Sequence, residues 1–166
     1  VSRAPDEVMA DLGPDLTLCS GQSTTLTATV PGATYTWQNG STASTFNVTG
    51  PGTYSVGVLL NGCLASDAID ISYNPTPVVN LGADVVICAG AQVTLDATTP
   101  GATYLWSNGS VGPTLNTSTA GPYSVGVTVN GCTGTDAVNV SVTPLPVVNI
   151  GPDQTVCPGT PITLVA

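Results

Sequence analysis

The sequence predicts an all-β fold, a tandem of β-sandwich repeats 69 residues long with one disulfide each. Three observations predict it. Segments repeat themselves at a fixed offset, the apolar residues alternate with period two between turn signals, and cysteines recur at constant spacing.

The offset is set by Leu12-Gly13-Pro14-Asp15 through Cys19, Leu81-Gly82-Ala83-Asp84 through Cys88, and Ile150-Gly151-Pro152-Asp153 through Cys157. Cys19 to Cys88 is 69 positions, and Cys88 to Cys157 is 69 again. Tyr35 and Tyr104, Trp37 and Trp106, Tyr54 and Tyr123, and Asn61-Gly62-Cys63 and Asn130-Gly131-Cys132 keep the same offset. Roughly half the positions are identical between the two full copies. The reading divides the chain into residues 1–5, the close of a preceding repeat; 6–76, the first sandwich; 77–146, the second; and 147–166, the opening of a third. A window cut from a longer array explains that layout. A chain whose last strands complete a neighbouring copy by strand addition is the alternative.

Within a repeat, Leu26 and Ala28 share one face of a strand, with Thr25, Thr27 and Thr29 opposite. Tyr35 and Trp37 share a face of the next, and Asn39-Gly40 turns the chain. Phe46 and Val48 alternate before the turn Gly50-Pro51-Gly52. Tyr54, Val56, Val58 and Leu60 then line one face, Asn61-Gly62 reads as a two-residue hairpin, and Ile69, Ile71 and Tyr73 finish the unit. This gives about six or seven short strands per repeat, the signature of a sandwich or barrel. In the second copy Leu95, Trp106, Leu115, Val125, Val127, Val138 and Val140 take the inward positions. Trp37, Trp106, Tyr54 and Tyr123 are expected in the cores, the indoles near a disulfide. Gly57 and Gly126 sit mid-strand, which predicts a bulge or a close approach of a neighbouring domain. The linkers Asn74-Pro75-Thr76-Pro77 and Thr143-Pro144-Leu145-Pro146 are short and proline-stiffened, which predicts a rod.

Composition narrows the function classes. Lys plus Arg total 1, Asp plus Glu total 10, and 42% of residues are hydrophobic, so the chain can bury a core. Its acidic surface lacks the cations that phosphate or anionic lipid would require, so nucleic acid is not an expected partner. No apolar run is long enough for a membrane helix, and membrane insertion is not expected.

The five cysteines are Cys19, Cys63, Cys88, Cys132 and Cys157. The spacing of 44 positions from Cys19 to Cys63 recurs from Cys88 to Cys132, so the expected pairs are Cys19–Cys63 and Cys88–Cys132, with the partner of Cys157 outside the window. A bridge of that kind is worth about 4 kcal/mol in the chain-entropy model, a large share for so small a core. The whole expectation of units each locked by its own bond and stacked end to end rests on this pairing, and a disulfide joining the first and second units to each other would overturn it. Disulfides imply an oxidising, extracytoplasmic setting.

The motifs Leu12 to Ala28, Tyr35-Thr36-Trp37-Gln38-Asn39-Gly40-Ser41, Gly52-Thr53-Tyr54-Ser55-Val56 and Asn61-Gly62-Cys63 resemble the PKD-like/Ig-like repeats of secreted Bacteroidetes cell-surface proteins. The resemblance implies a surface fibre or stalk of the gliding-motility adhesin type, exported by the type IX system. It supplies no catalytic residue, and the chain departs from the family at Gly57 and Gly126.

No chemistry emerges from the residues. Histidine is absent, so no Ser-His-Asp triad can form, and phosphate-binding glycine motifs are missing. Asp15, Asp84 and Asp153, and again Asp67 and Asp136, recur with the repeat, which suits turn chemistry better than a single active site. The competing reading makes Asp11, Asp15 and Asp84 oxygen ligands of an interdomain calcium ion. No cofactor is expected. Asn39, Asn47, Asn108, Asn116 and Asn139 head Asn-X-Ser/Thr triplets, which an Asn- and Thr-rich chain produces readily. The functional expectation is a non-enzymatic filament or adhesin shaft, outside the cell or on its surface, whose partners are adjacent repeats of the same or identical chains, with surface glycans as a further candidate. The alternative is a spacer or carbohydrate-binding module of a secreted enzyme.

Overall fold

The computed structural model describes residues 8–153, 155–159 and 161–163. The expected close of a preceding repeat over residues 1–5 lies outside them. Twelve strands form among the described residues: β1 Leu16–Cys19, β2 Thr24–Thr27, β3 Thr34–Trp37, β4 Thr45–Val48, β5 Gly52–Leu60, β6 Cys63–Asn74, β7 Val85–Cys88, β8 Val93–Asp96, β9 Thr103–Trp106, β10 Thr114–Thr117, β11 Gly121–Val129 and β12 Cys132–Thr143. The first six make one sandwich and the last six repeat it. Each has a four-stranded sheet, ordered β1-β6-β5-β3 or β7-β12-β11-β9, facing a two-stranded sheet, β2-β4 or β8-β10.

The alternation in the sequence decides which side chains fill the gap. Leu26 and Val48 from the small sheet meet Tyr35, Trp37, Val56, Val58, Ile69 and Ile71 from the large one in a single buried cluster. Leu95, Leu115, Trp106, Val125, Val127, Val138 and Val140 form its counterpart. Both indoles are 2% exposed, and their Nε1–H groups donate to carbonyls of the following turn, Trp37 to Ala43 O and Trp106 to Gly112 O, each at 2.8 Å. Tyr54 and Tyr123 pack half-buried at the edge of each core, with their hydroxyls on Gly50 O and Thr119 O. Tyr35 and Tyr104 clasp the loop ahead of their own strand by donating to, and accepting from, Val30 and Thr99. The polar ends of these aromatic side chains are thus paired, as burial requires.

The Asn-Gly hairpins form where expected. Asn61 and Asn130 have φ of 52° and 49°, and Gly62 and Gly131 follow at 81° and 82°, the left-handed pair that a tight two-residue turn demands. The bulge expected at Gly57 and Gly126 does not form. β5 and β6 pair one to one from Gly52–Ile71 to Leu60–Cys63, with Gly57 opposite Ser66, and Gly126 lies opposite Thr135 in the same way. A Cβ at Gly57 would meet Leu64 Cδ1 at 3.6 Å, and one at Gly126 would meet Thr133 Cγ2 at 3.5 Å, both ordinary contacts. These glycines therefore satisfy no steric demand of the strand.

The parallel pairing of β1 with β6 overturns the expected cysteine pairs. Cys19 at the end of β1 lies beside Asn74 at the end of β6, whereas Cys63 is the first residue of β6. At about 3.3 Å per residue, the 11 steps from Cys63 to Asn74 put the two cysteines about 36 Å apart, against a Cα separation of about 7 Å or less in a disulfide. Cys88 and Cys132 stand at opposite ends of β12 by the same register, Cys88 beside Thr143. Cys19 is instead bonded to Cys132, Cα to Cα 5.5 Å, across 113 positions. Cys63, Cys88 and Cys157 are exposed thiols. No bond staples either sandwich internally, and neither indole packs in a cluster that contains a disulfide. Among the described residues of 147–163 no strand forms, although Asn149 Oδ1 accepts the Gly151 N–H at 2.9 Å.

Candidate functional site: the covalent junction between the sandwiches

The junction is built from the far end of the first sandwich and the hairpin end of the second. Strand β6 delivers Asn74 beside Cys19, and its carbonyl accepts from the Ser20 N–H at 2.9 Å and the Ser20 hydroxyl at 3.2 Å. Its side-chain amide crosses to the second sandwich and donates to Asn130 O at 2.9 Å. The Asn130-Gly131 turn then presents Cys132 to Cys19. The bonded sulfurs carry no proton, so their approaches to Gly131 O at 3.9 Å and Asn74 O at 3.8 Å are packing contacts. Gln22 Oε1 accepts the Cys19 N–H at 2.8 Å and Tyr73 donates to Gln22 O at 3.0 Å, which fixes the loop that holds Cys19.

The linker is pressed onto the second sandwich. Gly134, the third residue of β12, is buried beneath Pro77, and a Cβ built at Gly134 would overlap the Pro77 carbonyl oxygen and lie 3.3 Å from Val79 Cγ2. Glycine is needed there for close backbone approach, not for a special dihedral. Ala65 holds the matching position in the first sandwich.

Recurring carboxylates extend the fastening. Asp136 Oδ2 accepts the Leu81 N–H at 2.7 Å, and Asp84 Oδ1 accepts the Asn139 N–H at 2.9 Å. Asp67 with Leu12, at 2.6 Å, and Asp15 with Asp70, at 2.9 Å, repeat both bonds in the first sandwich. Hydrogen bonds from Leu81 and then Ala137 hold the Asp136 carboxyl below its ordinary value. Asp15 and Asp84 thus latch the lead-in segment to the long strand. The Asx turns expected of them fall instead to Asp11 and Asn80, which accept from Gly13 and Gly82 at 2.8 and 2.9 Å. Asp11, Asp15 and Asp84 each serve a different backbone amide, and among the described residues no three acidic, cysteine or histidine side chains gather into a metal-binding group.

An open groove of about 370 Å³ lies between the linker and the end of β8, lined by Val78, Val79, Asn80 and Asp96 to Thr99. Asp96 is its single carboxylate, held below the ordinary value by hydrogen bonds to the side chain and then the backbone of Thr98. Paired-carboxylate hydrolysis has no second acid here. No helix long and apolar enough to cross a membrane is present among the described residues.

Sequence reasoning found all five cysteines and misassigned their partners. The signal available was the hairpin position of Cys132, one repeat beyond Cys19, together with a linker too short to separate the two. Gly134 was missed entirely, and its only trace in the sequence is the loss of a side chain where the first copy has Ala65.

No family model matches the chain, and no curated protein sequence does. Among solved structures, it is similar to an I-band fragment of titin, at 13% identity and a TM-score of 0.39 over 79% of this chain and 63% of the titin fragment. It is also similar to the N-terminal four Ig domains of Dscam1, at 12% identity and a TM-score of 0.35 over 86% of this chain and 45% of that one. Sidekick-1 immunoglobulin domains are matched at 16% identity and a TM-score of 0.33, over 81% of this chain and 40% of theirs. The chain therefore spans less than two thirds of each of these structures, and likenesses this distant bear on no activity or partner; the sandwich architecture rests on its own strands and cores.

Proposed function

We propose that the chain is a load-bearing segment of an extracellular filament or adhesin shaft, a stiff tandem of sandwiches without enzymatic activity. Residues 6–76 and 77–146 are its two full units and 147–166 open a further one. The reading rests on one observation, the Cys19–Cys132 bond that joins the first sandwich to the second across the Asn74–Pro77 linker. A bond inside a domain would protect that domain alone. A bond across a junction removes bending at the point where a tandem array is weakest, and a disulfide belongs to an oxidising compartment. The hairpin cysteine and the β1 cysteine lie at opposite ends of each sandwich, so joining them stacks units end to end. The motif resemblance supports surface display of the gliding-adhesin, type IX-exported kind. The carbohydrate-binding alternative gains nothing from the indoles, both of which are buried. Negative-stain microscopy of native material tests the proposal. Uniform fibres that become visibly kinked on adding a thiol reductant are expected. Compact particles, or fibres whose bending ignores the reductant, would overturn it.

A further inference from the structure

We infer that Cys88 and Cys63 are the two unmatched halves of the bond that Cys19 and Cys132 complete. Cys88 is the docking point for the hairpin cysteine of a following repeat, and Cys63 for the β1 cysteine of a preceding one. This deepens the shaft proposal and rests on it: a single bonding rule, β1 cysteine of one repeat to hairpin cysteine of the next, running the length of an array.

The backbone around each free thiol reproduces that around the bonded one, while Gln22, Tyr73, Asn74 and Gly134 of the junction are replaced by Ala91, Val142, Thr143 and Ala65. Cys88 ends β7 opposite Thr143, as Cys19 ends β1 opposite Asn74, both in parallel register with the long strand. The Ala89 N–H donates to Thr143 O at 2.8 Å where the Ser20 N–H donates to Asn74 O at 2.9 Å. The turn that follows is also the same, with Ala91 N on Cys88 O and Gln22 N on Cys19 O, each at 3.0 Å. At the other end, Cys63 opens β6 opposite Leu60 after Asn61-Gly62, as Cys132 opens β12 opposite Val129 after Asn130-Gly131. The thiols also differ in what covers them. Cys132 is 1% exposed because the first sandwich sits on it, whereas Cys63 and Cys88 are open to solvent. They also stand at opposite ends of the two-sandwich unit and cannot pair within it.

Forming the bond joins the two sulfurs and removes one proton and one electron from each thiol. A disulfide oxidant such as glutathione disulfide takes up the two protons and two electrons as its own S–S bond breaks, and leaves as two thiols.

The test is the full chain carrying one duplicated repeat, a second copy of residues 77–145 inserted after Leu145, refolded in a glutathione redox buffer and mapped by mass spectrometry without reduction. The expected map has Cys19 bonded to Cys132, and Cys88 bonded to the duplicate's hairpin cysteine at more than about ten times the level of any other Cys88 species. In the same chain, C88S should release the duplicate's hairpin cysteine as a labelled thiol and leave Cys19–Cys132 intact. If Cys19–Cys132 forms and Cys88 is a thiol, a glutathione adduct or bonded to Cys132, the rule fails while the two-sandwich junction and the shaft reading survive. If Cys19–Cys132 does not form, both fail together.

Discussion

The two sandwiches share a strand plan, a core and an Asn-Gly-Cys hairpin, yet their hairpins live in different surroundings. In the first, Cys63 is exposed and Ala65 needs no special clearance. In the second, Cys132 is buried against its predecessor and Gly134 lies under the linker. The same local sequence is therefore a solvated tip in one place and half of a covalent joint in the other. Position in the tandem decides what the hairpin does, and Gly134 in place of Ala65 lets the linker close over the second one.

The sharpest way to break this comparison is to remove each hairpin cysteine in turn. In the chain-entropy model a loop of this span is worth about 5 kcal/mol, so C132S should lower stability by up to that amount if the two sandwiches unfold as one unit. C63S should stay within about 0.5 kcal/mol of wild type, as a change at an exposed, unbonded site does. Urea denaturation measures both. Equal losses would mean that the hairpins are equivalent after all.

The cores, in contrast, should behave alike. Trp37→Ala and Trp106→Ala should each cost about 3–5 kcal/mol, the usual range for deleting a buried aromatic. A marked inequality between them, read by the same denaturation, would show that the junction stabilises one core more than the other.

Gly134→Ala should cost about 1–3 kcal/mol, because the methyl group displaces the Pro77 backbone. It should also raise the reactivity of the Cys19–Cys132 bond towards reductant, followed by thiol labelling. Gly57→Ala and Gly126→Ala should change stability by less than about 1 kcal/mol, in the favourable direction, since a Cβ at either site makes ordinary contacts and alanine leaves the unfolded chain less freedom than glycine. A loss above that size at either would restore a steric role for these glycines.

The subtlest difference concerns pH. The hydrogen bonds from Leu81 and then Ala137 hold the Asp136 carboxyl below the ordinary carboxylate value in the folded chain. Its contribution is therefore present above the unfolded value and is lost as pH falls through the folded one. The gap in melting temperature between wild type and D136N should be constant near neutrality and close below about pH 4. A gap that widens on acidification would reverse the assignment.

Much of this was legible in the residues. Alternation alone placed Tyr35 with Trp37 and Val56 with Val58 on inward faces, because a pleated strand sends alternate side chains to opposite sides. Asn61-Gly62 announced its own turn, because two successive left-handed residues are tolerated by few other pairs. The roles of Asp15 and Asp84 were less legible. Their partners, Asp70 and Asn139, lie 55 positions away, so the local Asx turn was the simpler expectation and the wrong one.

The sequence by itself determined the repeat length, the strands, their buried faces and the number of sulfurs, since each follows from short-range pattern or from counting. Only the tertiary structure decided which sulfurs meet. Equal spacing within each copy pointed to a bond inside the repeat, but the first strand runs parallel to the last and carries its cysteine to the far end of a 12-residue strand, out of reach of the hairpin. Strand direction is a property of the assembled sheet, and no residue spacing encodes it.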